Sequence, residues 1–369
     1  MSTIGVSRRR FLRGVGSLTT AAAAAPALGL AAQEAPPSDA GSITDVGGLR
    51  VGHFTDPRRP TGCTAILFDS PATAGADYDG SAPGESMGVV LQPVSPLDHI
   101  HAILLTGGGP MALGATAGVV RFLEQRQIGY DWGVPNVRIP IVVGAVIDDL
   151  SLGDGRLRVG PDEAYRACEA ATPAAVLEGS VGAGAGATVG KMFVGRGMPG
   201  MKGGVGTASA RLGDVVIGAL VVVNAAGDVV DWRRGGIVAG ARRAGGRDGF
   251  AGSVDVLRAD LARRGAAAPL ADEPLRATTL AVIATNVGLS KTQLTKLAMM
   301  ANTGAARAIN PYHTQGDGDQ VLAASTGSLE PRVSLTALGA IAGELVADAI
   351  VRAVRLATGV PGWPAVRDL

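Results

Sequence analysis

The sequence predicts a layered α/β domain of the α+β kind, on three observations. Apolar, β-branched runs of strand length recur along the chain, and helical apolar spacing recurs between them. The two kinds of segment do not alternate regularly, which argues against a doubly wound parallel sheet and for layers of sheet and helix. Hydrophobic residues make up 47% of the 369 and charged residues 18%, so the chain can bury a large core. Aromatics are only 4% against 55 glycines, so that core is built from Ala, Val, Leu and Ile.

The N-terminus comes first. Ser7-Arg8-Arg9-Arg10-Phe11-Leu12-Arg13 precedes a stretch without charge from Gly14 to Gln33. A twin arginine before a mild, Ala-rich apolar run reads as a bacterial twin-arginine export signal over residues 1–32. The alternative is an uncleaved membrane anchor; Pro26, the glycines and the alanines make the run weakly hydrophobic, which favours cleavage. Residues 33–40 read as a flexible lead-in and 41–369 as one domain. This places the mature protein in the periplasm or outside the cell, with membrane contact only during export.

Strands are expected at Thr64–Phe68, Ala102–Leu105, Ile141–Ile147, Val215–Val223 and Thr279–Thr285. Helical spacing marks Ala112–Gln127, Asp162–Leu177, Val254–Arg264 and Ser290–Ile309, the last with Ser290 and Gln293 as a capping box. The final apolar stretch, Ser334–Ala357, contains Glu344, Asp348, Arg352 and Arg355. Its pattern is that of an amphipathic core helix rather than a membrane span.

Two segments break the pattern. Gly179 to Gly206 holds 11 glycines in 28 residues. Gly182-Ala183-Gly184-Ala185-Gly186-Ala187 matches G-x-G-x-x-A, but without a clear strand before it or a helix after it; a loop packed close to other backbone is the better reading. Ala239 to Arg276 is polar, basic and Gly/Ala/Arg-rich, and reads as a solvated connector.

Charge and motif content narrow the function. Without the four N-terminal arginines the 33 basic residues become 29, against 32 acidic ones, so nucleic acid is not an expected partner. Cys63 and Cys168 are too few for a disulfide scaffold or a cysteine zinc site, and read as buried thiols, with one disulfide as the alternative. His99-x-His101 would share a strand face but has no third ligand nearby, so no metal or cofactor is expected. His313, after Pro311 and Tyr312, is either a pocket residue or a surface one. No Gly-x-Ser-x-Gly or His-Glu-x-x-His motif occurs.

What remains is the abrupt boundary where the polar connector meets Thr278-Thr279-Leu280-Ala281-Val282-Ile283-Ala284-Thr285. This segment resembles the cleavage point of the L-aminopeptidase/D-Ala-esterase family, which includes the β-aminopeptidases. Further matches follow in the family's order: Ile43–Val46 with Arg50–His53, Thr61–Thr64, Ala82–Gly84, Leu105–Gly108, Gly182–Gly184 with Gly190-Lys191 and Lys202–Gly206, Val221–Asn224, and Asp317-Gly318-Asp319.

The resemblance implies an αββα four-layer sandwich of N-terminal-nucleophile type and a self-processing aminopeptidase or amidase. Cleavage would fall between Ala277 and Thr278, giving an α chain to residue 277 and a β chain of 278–369. The chemistry needs that cut: a Thr hydroxyl is a weak nucleophile, and the Thr278 nitrogen becomes a base, with a pKa of about 7.7–8.0, only once it is an amine. The resemblance also implies that Asn224 supplies an oxyanion donor. It implies that Asp317 and Asp319 orient the Thr278 amine and hold the substrate's ammonium, although Asp-Gly-Asp alone also suits a turn or a fragment of a calcium loop. It further implies a peptide or amino-acid amide substrate and a homo-oligomer of αβ units. Three positions depart from the family: Ala277, where Asn or Gly is common, Gly109, where many members have Ser, and Gly114, where many have Asp. An exported, non-catalytic binding protein of the same fold is the second reading.

Overall fold

The computed structural model describes residues 41–246, 248–265, 276–330 and 332–369. The export signal and lead-in read at 1–40 lie outside the described residues.

Nine strands form one continuous hydrogen-bonded sheet: β1 (Leu49–Thr55), β2 (Gly62–Asp77), β3 (Glu85–Ser86), β4 (His99–Thr106), β5 (Val142–Val146), β6 (Gly204–Leu212), β7 (Val215–Asn224), β8 (Thr278–Val287) and β9 (Gln320–Leu329). The order is β6-β7-β8-β9-β2-β4-β5-β3, with β1 on β2. Among the described residues five α-helices accompany them: α1 (Thr116–Glu124), α2 (Pro161–Glu169), α3 (Ser253–Arg264), α4 (Lys291–Ala308) and α5 (Leu335–Arg355).

The sheet folds over on itself through β2. The first half of that 16-residue strand pairs with β1 and β4, its second half with β9, and the register against β4 shifts between Leu67 and Ala72. A bulge of this kind bends a strand, so one strand serves two layers. The apolar cores follow. Ile283, Val321 and Val221 pack with Leu297 of α4 and Ile350 of α5. Leu280, Val282, Val222 and Leu322 pack with Ile66 and Ile103 between the two sheet layers. Ala65, Leu104 and Val142 pack with Val119 of α1 and Ala164 of α2. Successive residues of β7 and β8 therefore feed opposite cores, as a pleat with period two requires. The result is helix, sheet, sheet, helix: the αββα sandwich.

Glycine and alanine make these layers thin. A Cβ on Gly304 would lie 1.9 Å from the Gly343 carbonyl oxygen, so α4 and α5 touch backbone to backbone. A Cβ on Gly206 would come equally near the Ala349 oxygen, which brings α5 onto β6.

Each expected strand lies within or against an observed one, but β1, β6 and β9 had no apolar run to mark them. The helix expected to Leu177 ends at Glu169: Pro173 follows closely, and Thr172 pairs its backbone with Val51 instead. The solvated connector is a correction too. Residues 237–239 form a short strand and 253–264 a helix, while 266–275 lie outside the described residues. Cys63 and Cys168 are buried free thiols. Among the described residues no helix is long and apolar enough to cross a membrane.

The topology sets the site. Antiparallel pairing of β7 with β8 puts Asn224 opposite Thr278, and α4 carries the chain from β8 to its parallel neighbour β9, whose first residue is Gln320. The end of β7, the start of β8 and the run Asp317-Gly318-Asp319 thus meet at one sheet end.

Candidate active site

Thr278 is buried, and its hydroxyl donates a 2.6 Å hydrogen bond to the carbonyl oxygen of Ala277, the residue before it. The same oxygen accepts the backbone N–H of Gly318 at 3.0 Å. Gly318 has no room for a side chain: a Cβ would lie 2.5 Å from the Ala82 oxygen and 2.9 Å from Thr278 Oγ1. A side-chain hydroxyl and a backbone N–H therefore converge on one carbonyl oxygen.

Asp319 and Asp317 differ in what they hold. Asp319 Oδ1 accepts the Thr279 N–H at 2.6 Å, and Oδ2 lies 3.2 Å from His313 Nδ1. Asp317 Oδ2 accepts the Thr314 N–H at 2.8 Å, while its buried Oδ1 has no partner. Burial first, then the charge of Asp319, pushes the Asp317 carboxyl up to about 6. Asp317 is also bridged in register with Ala277.

Asn224 is fully buried and held at both ends. Its Oδ1 accepts the Thr188 N–H at 3.0 Å and the Lys191 ammonium at 2.6 Å. Its Nδ2 faces the carbonyl oxygens of Asp148 at 3.2 Å and Arg276 at 3.5 Å. One of the Asn224 Nδ2 contacts thus meets the carbonyl one residue upstream of Ala277. Burial lowers Lys191 to about 7, against the pull of Asp148, Asp317, Asp149 and Asp319, the carboxylates around it.

The glycine-rich run meets this region through Thr188 and Lys191, which hold Asn224. Gly182–Gly184 forms one tight 3-10 turn, with no dinucleotide-type strand and helix around it. Buried Lys202 ties it down: its ammonium donates to the carbonyls of Gly184, Ala187 and Gly203 at 2.9, 2.7 and 3.0 Å. Nearby, Asp149 accepts from Arg59, Thr61 and the Gly108 N–H. A Cβ on Gly107 or Gly186 would strike this carboxylate, so glycine is required at both.

A cavity of about 140 Å³ opens at Thr278, lined by Ala82, Gly84, Gly109, Val146, Asp148 and Arg276 among others. Gly109, one of the departures, lies on its wall; Gly114 does not line it. His99 is exposed, whereas His101 is buried and accepts the Ile141 N–H at 3.0 Å, a structural role. Among the described residues no group of His, Cys, Asp or Glu could hold a metal ion. The sequence pattern gave no role to Lys191, Gly318 or Lys202. Lys191 and Lys202 entered only within motif matches, because the burial and contacts that distinguish them are not written in residue type.

Comparison with known proteins bears on family and fold. The model of peptidase family S58 matches residues 41–366. An uncharacterized aminopeptidase of Mycobacterium bovis is 39% identical over 360 residues, covering 89% of this chain and 97% of its own length. A 6-aminohexanoate-oligomer endohydrolase of Kocuria is 35% identical over 327 residues, covering 84% of this chain and 85% of its own. The L-aminopeptidase D-Ala-esterase/amidase of Ochrobactrum anthropi, described as a variant of the Ntn hydrolase fold, superposes with a TM-score of 0.61 at 23% identity over 88% of each chain.

Proposed function

The chain belongs to peptidase family S58 and is a hydrolase of the aminopeptidase kind; from that premise we propose that it cuts itself between Ala277 and Thr278 and then uses Thr278 as nucleophile. One observation carries the reading. The Thr278 hydroxyl and the Gly318 N–H both reach the Ala277 carbonyl oxygen, at 2.6 and 3.0 Å.

In the self-cleavage step Thr278 Oγ bonds to the Ala277 carbonyl carbon and gives up its proton. The oxygen of that carbonyl takes the negative charge, facing the Gly318 N–H. The C–N bond then breaks and the Thr278 nitrogen takes a proton, leaving an ester between Ala277 and Thr278 Oγ. Water hydrolyses the ester to the Ala277 carboxylate and the free hydroxyl. Asp317 is the carboxyl beside this bond that exchanges a proton near neutral pH, because its value stands at about 6 and its Oδ1 is free of partners.

In the cut enzyme the new Thr278 amine is the base for its own hydroxyl. The Arg276–Ala277 end leaves, and Asn224 Nδ2, which it had faced, becomes the donor for the substrate's oxyanion. Lys191 holds the amide in that orientation through Oδ1. Asp317 and Asp319 flank the amine and receive the cationic amino end of a peptide, amide or ester substrate. The activity of the Kocuria relative extends the range to test to 6-aminohexanoate oligomers. The same reading takes residues 1–32 as a twin-arginine signal, places the protein in the periplasm or medium, and assembles αβ units into a homo-oligomer.

Purified protein on a denaturing gel tests the centre of this reading. Wild type is expected as two fragments, the shorter beginning at Thr278 by N-terminal sequencing. Thr278→Ala is expected as one uncut chain without hydrolysis of aminoacyl 4-nitroanilides, and Thr278→Ser as cut. An intact wild-type chain, or a cut and active Thr278→Ala, sinks the assignment.

A further inference from the structure

His313 stands outside the set of residues given a role so far, yet it is wired into it. It lies in the turn between α4 and β9, with φ at 52°, a left-handed conformation uncommon for side chains other than Asn, Asp or His. Its Nδ1 is 3.2 Å from Asp319 Oδ2, the oxygen left over after Oδ1 takes the Thr279 N–H. Its Nε2 is 3.1 Å from Asn302 Nδ2.

The amide of Asn302 is not free to turn. Its Nδ2 donates to the Asp77 carboxylate at 3.0 Å and its Oδ1 accepts the Tyr312 hydroxyl at 2.8 Å. Nε2 therefore meets a donor, and in the neutral ring the proton sits on Nδ1, aimed at Asp319. The protonated ring also carries a proton on Nδ1, so the donor to Asp319 is present in both forms. The charged groups facing the imidazole are Asp319, Asp79 and Asp77. Burial works to lower its pKa, but their combined effect outweighs burial and leaves it raised.

We propose that His313 is a positioning residue of the Thr278 site: through Nδ1 it fixes the Asp319 carboxylate, which in turn anchors the Thr278–Thr279 peptide by the Thr279 N–H. The relay runs from Asp77 through Asn302 and His313 to Asp319, and ends one bond from the nucleophile's own residue. Its consequence is kinetic. Loosening Asp319 leaves the cavity walls and the bulk of the core in place but lets the first peptide of β8 move relative to Gly318.

The inference rests on Thr278 as nucleophile, and two isosteric variants test it separately from that reading. His313→Asn puts a side-chain nitrogen where Nδ1 stands and accepts the left-handed backbone; His313→Gln mimics Nε2 and leaves Asp319 Oδ2 without its donor. The measurements are the time course of Ala277–Thr278 cleavage in freshly made full chain, and kcat and KM of the cut enzyme on an aminoacyl 4-nitroanilide. His313→Gln is expected to slow cleavage and kcat by roughly 10–100-fold, as loss of an orienting partner does, and to raise KM as well, because Asp319 also receives the substrate's amino end. His313→Asn is expected to stay within about threefold of wild type. Wild-type rates in His313→Gln, or equal loss in both variants, overturn the proposal. Should His313→Gln not fold, His313→Asn decides alone, wild-type rates supporting it and a tenfold loss overturning it. An uncut wild type instead overturns the nucleophile reading, whatever the variants do.

Discussion

The backbone N–H of Gly318 donates a 3.0 Å hydrogen bond to the carbonyl oxygen of Ala277. That bond joins the segment before β9 to the peptide expected to break, and it is made by a residue whose missing side chain is what allows the approach. Its backbone is not left-handed, so Gly318→Ala is opposed by space alone: the new Cβ would meet the Ala82 oxygen at 2.5 Å and Thr278 Oγ1 at 2.9 Å. Self-cleavage of Gly318→Ala is expected to slow by about 10²–10³, the effect of displacing one oxyanion donor. A gel time course checks it, and cleavage at the wild-type rate removes Gly318 from the mechanism.

Asn224 is expected to separate the two proposed reactions. Its donors face the Arg276 carbonyl rather than that of Ala277, so it is expected to matter less for self-cleavage than Gly318. Asn224→Asp keeps the oxygen that accepts from Thr188 and Lys191 and replaces the donor. Turnover of the cut enzyme is expected to fall by about 10²–10³ in kcat, with little change in KM, while self-cleavage falls by less. Equal losses in the two reactions would show that Asn224 serves the oxyanion of both or neither.

The legible features of this molecule were those that apolar periodicity could carry. β7 and β8 are runs of Val, Leu and Ile, and the Ser290–Gln293 box marks the start of α4, so all three are readable from residue type. β6 and β9 mix Gly, Ala, Ser and Thr with only a few larger apolar residues, and in β6 the approach of α5 to Gly206 leaves no room for a side chain; the close packing that makes the sandwich thin there also weakens the strand signal. Thr278, Asn224, Asp317 and Asp319 carry recognisable chemistry, but only resemblance linked them, since their meeting depends on the pairing of β7, β8 and β9. Gly318 meets Ala277 through its backbone N–H and Lys191 is set apart by burial, and neither property is written in residue type. His313 needed the Asn302–Tyr312 contact to distinguish pocket from surface.

Asp317 gives the sharpest dependence on pH. Burial and the charge of Asp319 raise its carboxyl to about 6 in the folded protein, above the ordinary value near 3.8 that it regains on unfolding. Between those two values the native state holds a proton that the unfolded chain has released, so stability falls as pH rises through that window. Two pKa units correspond to about 3 kcal/mol, which this one group is expected to withdraw between pH 4 and pH 7. Asp317→Asn keeps an oxygen for the Thr314 N–H and removes the titration. The comparison is best made in the uncut Thr278→Ala chain, where unfolding does not separate an α chain from a β chain. Relative to that parent, Thr278→Ala/Asp317→Asn is expected to gain about 2–3 kcal/mol on going from pH 4 to pH 7 in urea melts. Other buried carboxylates raised by desolvation, Asp149 and Asp228 among them, stay in both chains and cancel. A stability difference that does not change with pH would mean that Asp317 is ionised throughout, and it could then no longer be the carboxyl that exchanges a proton beside Ala277.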